Sequence, residues 1–369
     1  MIEDNVTYID FATMEQFMVD VLIGSGVPTD DARIVADVLI TADKLGIDSH
    51  GFNRLKPIYY DRIKDGILNP VTEFEVIRES PTTAVVDGHN GMGHVVAKRS
   101  MQMAIDKAKK FGMGMVAVRN STHFGIAGYY ALMAAKENMI GISGTNARPS
   151  IAPTYGVENM LGTNPLTFAM PTDEEFPFML DCATSVSQRG KIELYARAGK
   201  TVPKGWVIDE NGESKTDAQE ILKDLIAEKA ALTPLGGIGE ETAGYKGYGY
   251  ATVVEILSAA LQSGSYMKML MGFENGKKVP YPLGHFFIAI DINAFVDPEE
   301  FKHTTGNILR ELRASKKMPG HNRIFTAGEK EYIVWLDRKD KGVPLNDALQ
   351  KEIKFLMNEL NIKGFNFEF

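Results

Sequence analysis

The spacing of apolar residues changes character twice along this 369-residue chain, and that restricts the folds open to it. Before about residue 74 the apolar groups recur at helical intervals and no strand signal interrupts them. Helices are expected over 13–24 and 29–45. The second opens on Pro28-Thr29-Asp30-Asp31, which places acid in the first turn where the helix dipole favours it, and runs Val35, Val38, Leu39, Ala42 and Leu45 along one stripe. A third helical stretch is expected from about 50 to 65. From Phe74 onward the pattern becomes short β-rich runs: 74–77, 83–87, 113–119, 140–145, 167–170, 178–181 and 286–291. Helical repeats lie between them, at Met101, Ala104, Ile105 and Ala108 and at Val253, Val254, Leu257 and Leu261. The C-terminal part is helical again, with Phe301, Thr305, Ile308, Leu309 and Leu312 on one face and Ala348, Leu349, Ile353, Leu356 and Leu360 on another. The charged stretch from Asp217 to Leu232 reads as a helix in a surface insertion. Taken alone, strands alternating with helices suggest a doubly wound parallel α/β sheet.

One cysteine, Cys182, precludes a disulfide within the chain and fits a reducing compartment. The N-terminus Met1-Ile2-Glu3-Asp4-Asn5 is acidic and polar, unlike a secretory leader, and no apolar run approaches the roughly 20 residues that span a bilayer. A cytoplasmic protein with no membrane association is expected. A formal charge of −8 with scattered Lys and Arg argues against a nucleic-acid partner.

The run Gly46-Ile47-Asp48-Ser49-His50-Gly51-Phe52-Asn53-Arg54-Leu55 sets a hydroxyl, an imidazole and a guanidinium close together. These are groups that a 2-oxo acid needs. An imidazole can give a proton to a carbonyl oxygen while a guanidinium grips the neighbouring carboxylate through two parallel bonds. If the segment stays helical, His50 and Arg54 share one face. The plain alternatives are a Ser49 helix cap and an Arg54 surface ion pair. The glycine fingerprint of a dinucleotide-binding βαβ unit is absent, because Val96 and Thr252 stand where Gly91-Met92-Gly93 and Gly247-Tyr248-Gly249 would need a third glycine. A phosphate-binding Walker loop, His-Glu-x-x-His and paired cysteines are also missing, so no metal site is expected.

Together with that run, Asn120 to Tyr129, Leu161 to Leu166, Asp181 to Ser185, Pro203 to Trp206, Pro234 to Gly237, Tyr245 to Gly249, Gly284 to Ala289 and Ala327-Gly328-Glu329 resemble, in order, the malate/L-lactate dehydrogenase family of the non-Rossmann, sulfolactate dehydrogenase-like type. The resemblance implies an α/β (α+β) fold with a mixed, largely antiparallel sheet in place of the parallel one. It also implies a discontinuous helical domain, 1–75 and 298–369, around a cofactor-binding sheet domain, 76–297. The implied activity is NAD(P)-dependent hydride transfer between a 2-hydroxy acid and a 2-oxo acid, malate and oxaloacetate first, by a homodimer. Lactate, sulfolactate, ureidoglycolate, a diketo sugar acid or a cyclic imino acid are the other substrates of such relatives, and a catalytically silent ligand-binding homologue is the non-enzymatic alternative.

Carried onto this sequence, the resemblance makes His50 the proton donor in reduction, with Ser49 and Asp181 in its hydrogen-bond relay. Arg54 holds the substrate carboxylate and Thr163 adds a hydroxyl. His123 lies beside nicotinamide and substrate, and the family leaves it open as a rival to His50. His50 is preferred because Arg54 accompanies it. Cofactor contacts are implied at His123, Thr145, Asn146, Phe178, Met179, Leu180, Asp181, Cys182, Ala183, Tyr245, Lys246, Gly328 and Glu329. Cys182 and Ala327 depart from the residues usual at those positions. From residue types, Asp173 in the acidic cluster after a strand is a candidate for the cofactor ribose, favouring NAD over NADP, with a solvated loop as the alternative.

Overall fold

A computed structural model describes residues 6–369; Met1–Asn5 lie outside the described residues. Helix α1 (Phe11–Gly24) begins at Asp10, whose carboxylate accepts the Thr13 N–H at 2.9 Å. Helix α2 (Thr29–Lys44) follows, with Asp30 and Asp31 in its first turn. Both bury wide apolar faces, and Phe11, Phe17, Val35, Leu39 and Tyr59 share a core with Val343, Leu345, Ile353 and Leu356 from the far end of the chain. The last residues complete it: Phe365 and Phe367 meet Phe17 edge-on.

The stretch 50–65 is helical but not one α-helix. It consists of 3-10 turns at Asp48–His50 and Phe52–Arg54, a π-helical turn at Leu55–Tyr60 and a short α-turn at Asp61–Lys64. Two residues break it: Gly51 adopts an extended ψ of −141°, and Pro57 has no N–H to lend to an α ladder.

The central sheet has seven strands: β1 (Glu75–Glu79), β2 (Thr83–Asp87), β3 (Met113–Ser121), β4 (Met139–Thr145), β5 (Leu166–Met170), β6 (Phe178–Cys182) and β7 (Leu283–Asp291). Their spatial order is β1-β2-β3-β7-β4-β5-β6. Only β2 and β3 run parallel, joined by the crossover helix α3 (Gly93–Phe111); every other pair in the sheet is antiparallel. The doubly wound reading fails here. A central strand covered on both faces, such as Leu283-Gly284-His285-Phe286-Phe287, has the same unbroken apolar look whichever way its neighbours run. Helix α4 (Ala127–Lys136) packs beside α3, and their apolar residues fill the space over Val116, Val118, Phe287 and Ala289.

The 217–232 stretch divides: its helix ends at Ile226, and Ala230–Leu232 is a strand paired with Val207–Asp209. Together with an unforeseen helix at Arg189–Arg197, it closes a small core around Ile151, Leu161, Ile192 and Ile221. Helix α5 (Gly244–Ala259) leads back to the sheet. Helices α6 (Pro298–Ala314), α7 (Glu329–Arg338) and α8 (Asp347–Glu359) follow, of which α7 carried no clear periodic signal. The expected apolar stripe of α6 is only partly covered, with Ile308 and Leu312 55% and 54% exposed. Ion pairs hold this helix instead, Arg310 to Asp173 at 2.9 Å and Arg313 to Glu174. No described helix is long and apolar enough to cross a membrane.

Candidate active site

The turn carrying His50 is fixed from below by one buried carboxylate. Asp43, near the end of α2, accepts the Phe52 N–H at 2.8 Å, and a Cβ on Gly51 would stand 1.9 Å from its Oδ1. Only glycine lets the chain pass this close. Burial holds the Asp43 carboxyl well above the usual carboxylate range. From outside, Arg338 of α7 grips Asp48 with both guanidinium nitrogens, at 2.5 and 2.8 Å, and also donates to the Asp43 carbonyl. The turn is thereby clamped between two helices far apart in sequence.

On this turn Ser49 Oγ and His50 Nδ1 are 2.8 Å apart. Arg54 Nε returns to the Ser49 carbonyl at 2.5 Å, so the expected neighbourhood of imidazole and guanidinium exists although the segment is not an α-helix. The His50 ring lies nearly parallel to that of His123, with centroids 5.7 Å apart and planes at 16°. Both are half-buried. Burial, helped by the Arg54 charge, depresses His50 to about 4, while burial and the nearby His50, His94, Arg62 and Arg54 push His123 well below the ordinary histidine value. Near neutral pH both imidazoles are uncharged in the free protein.

Their second nitrogens differ in use. The Tyr59 hydroxyl lies 2.6 Å from His123 Nδ1, and the Gly125 N–H also points at that atom, at 3.3 Å. A backbone N–H can only donate, so Nδ1 of neutral His123 is an acceptor and its proton sits on Nε2. His50 is under no such constraint. Its Nδ1 faces a hydroxyl that both gives and takes, so its Nε2 is free to act as acid or base. Tyr59 is fully buried, its ring also edge-on to His94 at 4.8 Å, and burial keeps its phenol protonated.

Asp181 stands apart from this pair. Its carboxylate accepts the Gly128 N–H at 2.7 Å and the Thr167 hydroxyl at 2.9 Å, and burial raises its pKa. It thus holds the first turn of α4, just beyond the His123 loop, and its bonds do not run to Ser49 or His50. Thr163 is half-buried, and its carbonyl accepts from Thr184 N–H at 3.0 Å. Thr145 and Asn146 pin β4 to β7: Thr145 Oγ1 meets His285 Nδ1 at 2.8 Å, and Asn146 Oδ1 accepts the Gly284 N–H at 2.9 Å.

The remaining cofactor candidates gather at edge strand β6, which holds Phe178, Met179, Leu180, Asp181 and Cys182. Met179 N–H reaches the Ala327 carbonyl at 3.4 Å, which brings Gly328 and Glu329 alongside; beyond Ala183, Leu235 N–H donates to Thr184 at 2.8 Å, which ties in the loop leading to Tyr245 and Lys246. Both α5 and α7 therefore start near this edge after glycine-rich turns, Gly236 and Gly237 at φ +101° and +88° and Gly328 at +91°. At the start of α5 the Gly244 and Lys246 N–H groups are already bonded to the Gly239 and Ala243 carbonyls, and α7 carries Glu329 and Glu331 in its first turn, so Lys246 is a cation that this edge offers a dinucleotide diphosphate. Tyr245 and Lys246 are exposed, Cys182 is half-buried with its thiol pKa raised by burial, and Glu329 is buried with Arg323 and the Thr326 N–H on its carboxylate. Asp173 is held by Arg310 through two bonds, at 2.9 and 3.0 Å, and by His303 at 3.0 Å; these partners lower its pKa to about 2.

Asp43, Tyr59, Arg62 and Arg338 were not singled out by the sequence. Tyr59 reads as one more core residue in Ile58-Tyr59-Tyr60, and its partner His123 lies 64 positions away. The one available signal was Gly51 following His50, since a glycine inside an expected helix asks for a reason.

Residues 9–354 match the family model described as malate/L-lactate dehydrogenase. The malate dehydrogenase of Pyrococcus horikoshii is 44% identical over 98% of both chains, and the L-sulfolactate dehydrogenase of Methanocaldococcus jannaschii is 39% identical over 96% of both. The crystal structure of malate dehydrogenase from Entamoeba histolytica superposes with a TM-score of 0.94 at 46% identity, covering 99% of this chain and 100% of that one. With the fold, the paired imidazoles and matches along nearly its whole length in agreement, the chain belongs to the malate/L-lactate dehydrogenase family, enzymes that are nicotinamide-dependent 2-hydroxyacid dehydrogenases.

Proposed function

We propose that this enzyme interconverts malate and oxaloacetate with NAD, His50 moving the proton at the C2 oxygen. The observation that carries the assignment of roles is the difference between the two histidines. His123, with Nδ1 taken by Tyr59 and Gly125, offers an N–H to the carbonyl or carboxylate. His50, backed by Ser49, has an Nε2 that can accept a proton from malate or return one to oxaloacetate. Its depressed pKa leaves it unprotonated near neutral pH, the form that accepts a proton in the oxidation direction. In reduction the incoming carboxylate offsets the Arg54 charge, which raises the affinity of His50 for a proton when it must donate one. Arg54, beside Ser49, is the grip for the C1 carboxylate, and Thr163 adds a hydroxyl. Asp181 acts one step removed, by setting the α4 start and thus the His123 loop.

The bound dinucleotide supplies or accepts the hydride. The residues proposed to hold it are His123, Thr145 and Asn146, the β6 run Phe178 to Ala183, Tyr245 and Lys246, and Gly328 and Glu329. The proposed limits of this cofactor domain are 76–297, with 1–75 and 298–369 as the helical domain. Asp173 is the proposed selector for the unphosphorylated ribose: with the Arg310 guanidinium on it, its carboxyl stays ionised across the physiological range. The apolar exposed face of α5, with Tyr250, Val253 and Ile256, supports a homodimer.

Following NADH absorbance with oxaloacetate, and repeating it with NADPH, tests the reading. Turnover with oxaloacetate and a higher kcat/KM for NADH are expected. Absence of oxaloacetate turnover contradicts the reaction, and preference for NADPH contradicts the role of Asp173.

A further inference from the structure

Helix α7 touches two places that sequence order keeps far apart. It is ten residues, about 15 Å, long. Its start lies against β6 and the residues that lead into that strand. A Cβ on Gly328 would run into the Pro177 carbonyl, and the Ala327 carbonyl accepts the Met179 N–H at 3.4 Å. Within the first turns the Tyr332 ring stacks on Phe176, centroids 5.5 Å apart, while its hydroxyl donates to Glu175 at 2.8 Å. Its end lies against the turn that carries His50. Val334 packs so closely on Gly46 that a Cβ there would stand 2.7 Å from its Cγ1. Four residues on, along the same face, Arg338 holds the Asp48 carboxylate and the Asp43 carbonyl.

No residue of the turn Asp48–His50 is fully buried, so apolar packing does not fix the position of His50. Polar anchors on either side of it do: Arg338 on Asp48 before it, and Asp43 on the Phe52 N–H after it. The Arg338 side chain is only 14% exposed and meets Asp48 through two nitrogens, which fixes the plane of the pair as well as its distance. This is more than the loose, solvated ion pair that contributes little. An α-helix resists compression along its axis because its hydrogen bonds run that way, so a helix gripped at both ends carries the position of one end to the other.

We propose that α7 is a strut that sets His50 from strand β6, with Arg338, acting through Asp48, as a positioning residue for the proton transfer. This inference rests on the assignment of that transfer to His50. It makes the contacts at both ends of α7 matter to kcat rather than to the affinity for either substrate.

The test is steady-state kinetics with oxaloacetate at saturating NADH, with NADH titration by fluorescence alongside. The proteins are the wild type, Asp48→Ala, Arg338→Met, Arg338→Lys, Tyr332→Ala, His50→Ala and the pairs His50→Ala/Arg338→Met and Tyr332→Ala/Arg338→Met. Asp48→Ala and Arg338→Met should each lower kcat about ten- to a hundredfold, the scale of a catalytic group misplaced by up to about 1 Å, while KM for oxaloacetate and NADH affinity stay near the wild type. Arg338→Lys should recover part of the loss, because it keeps the charge without the planar fork. In the His50→Ala background Arg338→Met should cost nothing further, whereas a merely structural role costs the same factor in both backgrounds. Tyr332→Ala should also lower kcat, and the Tyr332/Arg338 pair should be no worse than its poorer single variant, where independent sites would multiply their losses. Asp48 is half-exposed, so its variant reports even if Arg338→Met folds poorly. Wild-type kcat in Asp48→Ala, equal losses in the two His50 backgrounds, or multiplied losses in the Tyr332/Arg338 pair overturns the strut while leaving the reaction in place. A His50→Ala enzyme with wild-type kcat overturns the assignment of the proton transfer, and the strut with it.

Discussion

At the scale of single residues, the account turns on shape as much as charge. Arg54 is proposed to grip a carboxylate while its Nε stays on the Ser49 carbonyl, a pairing that fixes the plane of the fork. Arg54→Lys keeps the charge and loses that geometry. Its kcat/KM for oxaloacetate should drop by about one to two orders of magnitude, the value of a hydrogen bond to a charged group of roughly 1.5–3 kcal/mol, while NADH affinity measured by fluorescence titration stays near the wild type. Equal kcat/KM would make Arg54 a bystander. His50, Arg54 and His123 were legible because their residue types and order match a family signature. Tyr59 and Asp43 were not, since a tyrosine among apolar residues and an aspartate inside an amphipathic helix look ordinary until the fold brings up their partners.

Among the elements, the 48–65 segment shows where periodicity misleads. Helix was expected from about 50 to 65, and helical turns are found there, but the run is divided by Gly51 and Pro57 so that Ser49, His50 and Arg54 sit on turns rather than along an α-helix. The contact that sets this course, Asp43 to Phe52 N–H, is between side chain and backbone and leaves no periodic trace. Gly51→Ala would drive a methyl group into the Asp43 carboxylate, 1.9 Å away, and disrupt a buried hydrogen bond. The expected cost is about 3 kcal/mol or more in denaturant unfolding, together with loss of turnover as the His50 turn shifts. A variant with wild-type stability and turnover would show that the turn can be held without this contact. The β-runs of the central sheet, by contrast, were located to within about three residues, because short strands bounded by turns carry a clear local signal: Thr83–Asp87 is unchanged from expectation and Leu283–Asp291 starts three residues early, whereas the strand Thr7–Ile9 in the front segment, expected to be wholly helical, and its partner Val343–Leu345 are too short to show an alternation.

Over the whole molecule, local signals located the strands but not their partners. β7 inserts between β3 and β4 although it follows them by well over a hundred positions, a pairing that nothing local announces; the family resemblance implied only a mixed, largely antiparallel sheet. The same packing buries His94 and His285 completely, and burial lowers both to about 3. A histidine that binds a proton more readily unfolded than folded stabilises the fold above its ordinary value of 6.5 and loses that contribution as pH falls from there towards 3. For His94 the loss by pH 5 is on the order of 2 kcal/mol. The difference in thermal midpoint between wild type and His94→Asn should therefore shrink from pH 7.5 to pH 5; a difference that is constant or grows would mean that His94 is not held neutral.

The assignment of proton transfer to His50 is tested most directly by comparing kcat of His50→Ala and His123→Ala with oxaloacetate and NADH, alongside NADH binding. The account predicts that His50→Ala lowers kcat by about 10²–10⁴-fold, the usual worth of general acid catalysis, with NADH affinity close to wild type. A His50→Ala enzyme that keeps near-wild-type kcat while His123→Ala loses it would contradict the assignment.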